Sequence, residues 1–360
     1  MPAATYPSLC SESPGLRRAP STPGKVTLSA ASTSTSPSTE PPPRSAEPFS
    51  TIFKTQRKFR ARTLMQSCWH PKRSVRSAAS HNGVNNLLGR GRRMESQLEI
   101  VCPAWYPGAD KLIEAIPVLA DQGVTALEIG LNSPEFFDYR DGAELQRLLD
   151  ALSSSGVRAH SIHAPFGERY DISSLDDSVH EQGVDSLISA IELASVIDAD
   201  KVIVHASERL NGDRSRRMER ARGVLREMGV IAAESGIVLA LENLPPDFLG
   251  CTPEEIISLL DRTDRGSVGV CFDSGHANLS GHFLEYASAL LPLAVTMHLH
   301  DNDGTADQHA FPGVGNIDWP TFAHTYRVLE CKATLIIECK LPQGMVWSEA
   351  FQEMRMTLGG

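Results

Sequence analysis

An α/β architecture, a closed (β/α)8 barrel over residues 94–360 behind a disordered extension of residues 1–93, is the fold class this sequence predicts. Three observations carry it. After Leu98 a short apolar run of β type alternates with a longer helical pattern, eight times over. The 267 residues after Arg93 suit a TIM barrel, typically about 250 residues long. The first strand is followed by VCPAWYPGAD, which lacks the glycine fingerprint usual in an open doubly wound sheet.

The strands are expected at Leu98–Cys102, Ala126–Ile129, Ala159–His163, Lys201–His205, Val238–Glu242, Ser267–Phe272, Ala294–Leu299 and Thr334–Cys339. Each is a short run rich in Val, Ile, Leu or Ala, as a strand buried on both faces requires. The helices between them are expected at Asp110–Gln122, Gly142–Ser154, Val179–Ile197, Arg214–Glu234, Pro253–Asp261, Phe283–Leu291, Pro320–Leu329 and Val346–Met356. Gly123 and Gly156 follow helices, Thr252 is placed to cap the helix opening at Pro253, and Asp318 the helix near Trp319 and Pro320.

Residues 1–93 are a different polymer. They hold 15 Lys and Arg against 3 acidic residues, whereas the remainder holds 19 against 41 and carries a net charge of −22. Stretches such as SAASTSTSPSTEPPPRS, Ser29 to Ser45, bury too little apolar surface to offset the entropy of ordering. A disordered tail, an organelle transit segment and translation from a start upstream of a true one at Met94 all describe this segment. The abrupt change at Met94 favours the last two.

The seven cysteines (Cys10, Cys68, Cys102, Cys251, Cys271, Cys331, Cys339) are odd in number, widely spaced and form no CxxC. Neither a disulfide framework nor a zinc ribbon is indicated, and a reducing compartment fits best. No apolar run approaches the ~18 to 20 residues that span a bilayer, and the N-terminus has no secretory apolar region. The expectation is a cytoplasmic protein without a membrane partner.

In a (β/α)8 barrel the C-terminal strand ends converge on one mouth. The third strand ends in His163, the fourth in His205, the fifth in Glu242 with Asn243, the sixth in Asp273 with His276, the seventh in His298 and the eighth in Glu338. Just past the seventh, MHLHDNDGTADQHAFPGVGNIDW (Met297 to Trp319) adds His300, Asp307 and His309. A single such residue is ordinarily a cap or a bonded core group. Six consecutive strands ending this way, after runs apolar enough to be buried, would leave several costly unpaired groups, and a shared divalent metal resolves this.

Softer candidates surround them. His300 shares strand parity with His298 and is expected in the same mouth. Glu128, ending the second strand, suits a substrate hydroxyl as well as a structural salt bridge. His160 has the opposite parity to His163 and should face away. Gly313 and Gly315 read as a tight turn over the mouth, and the run RSRRMERAR (Arg214 to Arg222) as the solvated face of the fourth helix.

The motifs LALENL, FDSGHANL and HLHDNDGTADQHAFPGVGNIDW, in that order, resemble the xylose isomerase-like barrel superfamily, which contains sugar and sugar-phosphate isomerases and epimerases together with endonuclease IV. The resemblance covers Met94 to Gly360. From the epimerase branch it implies one Mn, Mg or Co ion on Glu242, Asp273, His298 and Glu338. From the endonuclease IV branch it implies a zinc cluster that adds His163, His205, His276, Asp307 and His309. The charge of −22 argues against a nucleic-acid partner, as do FDSGH where the nuclease has a DTCH form and HLHDNDG where it has an HxND form.

The expected function is therefore a metal-dependent sugar or sugar-phosphate isomerase or epimerase working through an enediolate, with a small sugar as partner. Glu242 and Glu338 would transfer the proton, His276 would contact the reacting oxygens, and Asp273 with His298 would hold the ion. The alternative is a zinc phosphodiesterase acting on abasic DNA. The three carboxylates suit Mn or Mg and the five histidines Zn; barrels of this kind often pair, which leaves the assembly open between a monomer and a homodimer.

Overall fold

The computed structural model of the protein describes residues 98–104 and 109–359, so the extension of residues 1–93 lies outside the described residues. Eight parallel strands close into a barrel in chain order, the last pairing with the first. They are β1 (Ile100–Pro103), β2 (Ala126–Gly130), β3 (Arg158–His163), β4 (Lys201–Val204), β5 (Val238–Glu242), β6 (Val268–Asp273), β7 (Ala294–His298) and β8 (Thr334–Ile336). The helices are α1 (Leu112–Asp121), α2 (Gly142–Ser155), α3 (Asp177–Val196), α4 (Arg214–Ala233), α5 (Pro253–Leu259), α6 (Ser274–Leu279), α7 (Phe283–Leu290), α8 (Trp319–Val328) and α9 (Trp347–Gly359). No helix among the described residues is long and apolar enough to cross a membrane.

The expected capping chemistry is what starts and stops these helices. The Thr252 hydroxyl accepts from Glu255 N at 3.3 Å with Pro253 in the first turn, and the Asp318 carboxylate accepts from Thr321 N at 3.1 Å. Gly156 ends α2 in the left-handed region, φ 66°, where a side chain is unfavourable. Ile203, Ala240 and Cys271 pack in one interior cluster of the barrel. Outside it, Phe272 stacks on Phe322 with centroids 5.9 Å apart and fixes α7 and α8 against β6.

The mouth inherits its layout from the ladder. Glu242 pairs in register with Cys271, Asp273 with His298, and His298 with Ile336. The register shifts between Leu127 and Glu128 and again between Val270 and Cys271, and such irregularities re-aim the side chains that follow.

Three expectations change. α6 was not foreseen, because SGHANL is too short to show a helical period; Asp273 Oδ1 starts it by accepting from His276 N at 2.7 Å. β8 stops at Ile336 rather than Cys339, although Ile337 N and Glu338 N still donate to Val101 O and Leu299 O at 3.0 and 3.1 Å. The run from Arg214 to Arg222 is not wholly a solvated face, since Arg217 is only 1% exposed. Its guanidinium pairs with Asp171 and donates to Ser173 Oγ and to Asn211 O and Oδ1. A buried guanidinium is tolerated only when saturated in this way.

Candidate metal centre

Glu242 comes from the end of β5 and is 2% exposed. Its Oε2 stands 3.3 Å from both His163 Nε2 and His205 Nε2, and its Oε1 stands 3.4 Å from His276 Nδ1 and 3.5 Å from His298 Nδ1. Asp273, fully buried, caps α6 with Oδ1 and receives His300 Nε2 at 3.1 Å on both oxygens. The Asn243 side chain clamps β5 to β6, donating to Asp273 O and accepting from Asp273 N. His298 presents Nδ1 to Glu338 Oε2 at 2.9 Å and to Asp273 Oδ2 at 3.9 Å, and Nε2 to Glu128 Oε1 at 3.0 Å. Glu128 Oε2 in turn accepts from Ser161 Oγ at 2.7 Å.

One ligand atom from each of Glu242, Asp273, His298 and Glu338 lies within 4.8 Å of the others, and the same holds for His163, His205 and Glu242. The last three predicted residues meet on a carboxylate, His276 Nε2 and His309 Nε2 standing 3.4 and 3.1 Å from Asp307 Oδ2. All nine residues singled out in the sequence thus face one mouth. His300 joins them as its parity suggested, stacked on His309 at 4.1 Å. His160, fully buried, lies by Arg158 instead, and burial with Lys201 and Arg158 nearby pulls its pKa down to about 3.

The tautomers test whether these residues suit a cation. His163, His276 and His309 each place Nδ1 2.9–3.0 Å from a backbone carbonyl, of Ala164, Asn243 and Glu338. A carbonyl only accepts, so Nδ1 carries the proton and the neutral ring turns the lone pair of Nε2 toward a carboxylate. On His298, Glu128 Oε1 is the carboxylate oxygen beside Nε2, while Nδ1 faces three other carboxylates. Lone pairs aimed at carboxylates repel unless a cation or extra protons lie between them. Consistent with this, Glu242 Oε2 and both His298 nitrogens are buried without a hydrogen bond of acceptable geometry. The donor set fits a divalent ion.

Without a cation, protons take its place. Burial disfavours the charge on His298 and His276, but Cys271, Glu338, Glu128 and Glu242 around the first, and Asp273 and Asp307 around the second, outweigh it and hold both well above the usual imidazole value. His309 rises to about 9, burial being outweighed by Asp307. Burial raises Glu338, yet His298 brings it down to about 2; Glu242 is held well below its usual range by His298, His205 and His163 against the same burial.

The loop over the mouth is tied down by Asp301, whose Oδ2 accepts from Gly313 N at 2.9 Å and Trp319 Nε1 at 2.8 Å. A Cβ on Gly315 would collide with Asn302 O and Asp301 Oδ1, which is why glycine stands there. His309 is held at φ 45°, a conformation that β-carbon-bearing residues seldom adopt. The sequence named Glu128 and Asn243 but not the partners they find, His298 and Asp273, and it did not single out Cys271. Strand parity with Asp273 was the available signal for the last.

A family model described as the xylose isomerase-like TIM barrel matches residues 116–355. An uncharacterised protein of Methanocaldococcus jannaschii, MJ1311, is 29% identical over 218 residues, covering 58% of this chain and 73% of that protein. A probable endonuclease 4 of Methanoculleus marisnigri is 25% identical over 196 residues, 49% of this chain and 69% of that one. Among solved structures, a D-tagatose 3-epimerase-like protein superposes with a TM-score of 0.64 at 24% identity, covering 73% of this chain and 97% of its own. A D-psicose 3-epimerase crystallised in the presence of D-fructose superposes with 0.60 at 17%, covering 73% and 100%. At these identities the structural likeness shows the fold.

Proposed function

The chain belongs to the xylose isomerase-like TIM barrel family, and from that premise we propose that it is a metal-dependent isomerase or epimerase of a sugar or sugar phosphate. The observation that carries this reading is the convergence of Glu242, Asp273, His298 and Glu338 within 4.8 Å, with two of the carboxylates arriving from strands separated by two others. Asp273 and His298, with the two glutamates, would hold the cation. Bound there, a divalent ion supplies positive charge that polarises the substrate carbonyl and stabilises negative charge developing on its oxygen.

The proton is moved by the chain itself. Glu242 and Glu338 are both held ionised near neutral pH, so either accepts the proton from the carbon beside the carbonyl. The other, reaching in from its own side of the mouth, takes up a proton from solvent and delivers it to the opposite face to yield the epimer, or to the adjoining carbon to yield a 1,2-shift, while the first returns its proton to solvent. His276, carrying its proton on Nδ1 toward Asn243 O, faces the reacting oxygens. The net charge of −22 over residues 94–360 also suits a small substrate better than a phosphodiester backbone.

The test is solvent exchange. The metal-loaded chain is incubated in D2O with a panel of ketoses, aldoses and their phosphates, and carbon-bound deuterium is read by NMR. Glu242→Gln and Glu338→Gln should each slow incorporation by about 10²–10⁴-fold, the usual contribution of a positioned acid or base. Exchange at the wild-type rate in either variant would overturn the two-carboxylate scheme.

One observation favours a second reading, an endonuclease IV-like phosphodiesterase: His163, His205 and Glu242 form another group able to hold an ion. Incision of abasic duplex DNA, lost in Glu242→Gln, would establish it, and elemental analysis separates the two, with one ion per chain expected for the isomerase and two or three zinc ions for the cluster.

A further inference from the structure

Beneath the mouth lies a thiol that the proposed reaction does not use. Cys271 precedes Asp273 by two residues on β6, so both side chains leave the same face of the strand, and it pairs in register with Glu242 on β5. It is fully buried, packed with Ile203 and Ala240. Its Sγ lies within 4.8 Å of one ligand atom each of Glu242 and His298, and among the described residues no other cysteine joins such a group. Those two partners carry three of the five buried unsatisfied atoms of the mouth, the others being His205 Nδ1 and His300 Nδ1. Glu242 Oε2 and both His298 nitrogens make no hydrogen bond, on residues 2% and 0% exposed.

We propose that Glu242, Cys271 and His298 form a second cation position, one layer below the first, that takes thiophilic divalent ions such as Cd2+ or Zn2+. Softness separates the two positions: sulfur and imidazole select soft and borderline ions, whereas Glu242, Asp273 and Glu338 offer hard oxygen to Mn2+ or Mg2+. Charge agrees, because one carboxylate and one thiolate neutralise a divalent ion in a place from which water is excluded. On binding, the S–H bond breaks, its proton leaves to solvent, and the thiolate lone pair forms the sulfur–metal bond; nothing is oxidised. Glu242 and His298 belong to both positions, so ions in the two positions compete for them. A thiophilic ion in the lower position therefore removes two ligands from the upper one and displaces the harder ion.

The proposal does not depend on the reaction assigned above, and its test reads spectra rather than turnover. The metal-free full chain is titrated with Cd2+ while sulfur-to-cadmium charge-transfer absorption is followed in the ultraviolet, alongside Cys271→Ala and Glu338→Gln. Wild type should gain the absorption of one more thiolate than Cys271→Ala, and Glu338→Gln, altered only in the upper position, should keep it. Mn2+ preloaded on wild type and followed by electron paramagnetic resonance should be released in step with that band. Equal bands in wild type and Cys271→Ala, loss of the band in Glu338→Gln, or retention of Mn2+ beside Cd2+ would each overturn the proposal. Should Cys271→Ala fail to fold, the cadmium-113 resonance of wild type decides: a shift in the sulfur-ligated range supports the site and one in the range of oxygen and nitrogen ligands alone sinks it.

Discussion

His298 has two ring nitrogens and four carboxylates around it, and the division of labour between them sets the chemistry of the centre. Glu338, Glu242 and Asp273 face Nδ1, while Glu128 alone faces Nε2. Glu128 is itself fixed by Ser161, so a carboxylate is held beside Nε2 and Nδ1 is the nitrogen that faces the other three. Outer partners of this kind are worth about 10–100-fold in metal affinity. Glu128→Ala, which removes the carboxylate beside Nε2, should weaken metal retention by about that factor, with Glu128→Gln in between because its amide still reaches Ser161 Oγ. Competition against a graded chelator measures this, and undiminished affinity in Glu128→Ala would remove Glu128 from the centre. The sequence placed Glu128 at the mouth but left it equally suited to a substrate hydroxyl, since its partner Ser161 sits 33 residues away on another strand.

At the scale of elements, close approach decides which substitutions the barrel tolerates. A Cβ on Gly275 in α6 would fall inside the His300 ring, whereas Gly223 in α4 has nothing within 4 Å of its would-be Cβ. Gly275→Ala should cost about 1–3 kcal/mol, as overpacking does, and disturb His276 on the same short helix and Asp273 that caps it. Gly223→Ala should stabilise by about 0.5–1 kcal/mol through helix propensity and the unfolded chain. Urea midpoints of the two variants test the contrast, which fails if both move the same way. Arg217 joins α4 to the loop after β3 through Asp171 and Ser173. Arg217→Met leaves Asp171 charged and buried, so a loss of about 3–5 kcal/mol is expected, partly recovered by adding Asp171→Asn; additive losses in the double variant would refute a coupled pair. Helical spacing identifies such an arginine only as charged, and burial is a property of what α3 and the loop pack against it.

For the whole molecule the question is what replaces the cation when it is absent. His276 and His298 bind protons well above the ordinary imidazole range, so at neutral pH metal binding should release on the order of one proton or more per ion. Calorimetry in buffers of different ionisation enthalpy measures that number, and buffer-independent heats would contradict it. The signs for stability follow from linkage. A raised imidazole contributes stability that is complete below its ordinary 6.5 and lost as pH rises through its folded value. The depressed Glu338 contributes above its ordinary 4.5 and loses it as pH falls toward about 2. The centre should therefore favour the metal-free fold most between pH 4.5 and 6.5, with buried His160 working against it as pH falls below 6.5, and added metal should raise Tm most on the alkaline side. At 100 times its Kd a single ion adds about 2.7 kcal/mol.

By itself the sequence determined the eight β-then-α units and the polar residue closing the third to the eighth strand, because both are local: a buried strand must be an apolar run, and its end is where the run stops. It also specified the caps Thr252, Asp318 and Gly156, whose chemistry lies within a few residues of where it acts. What tertiary structure decided is everything that depends on which atom faces which. The four carboxylates around His298, the burial of Arg217, the helix Ser274–Leu279 and the place of Cys271 beneath Glu242 arise only when the barrel closes and brings strands far apart in sequence side by side. Hydrophobic pattern is written along the chain, whereas the direction of a nitrogen lone pair is set by neighbours that the chain meets only after folding.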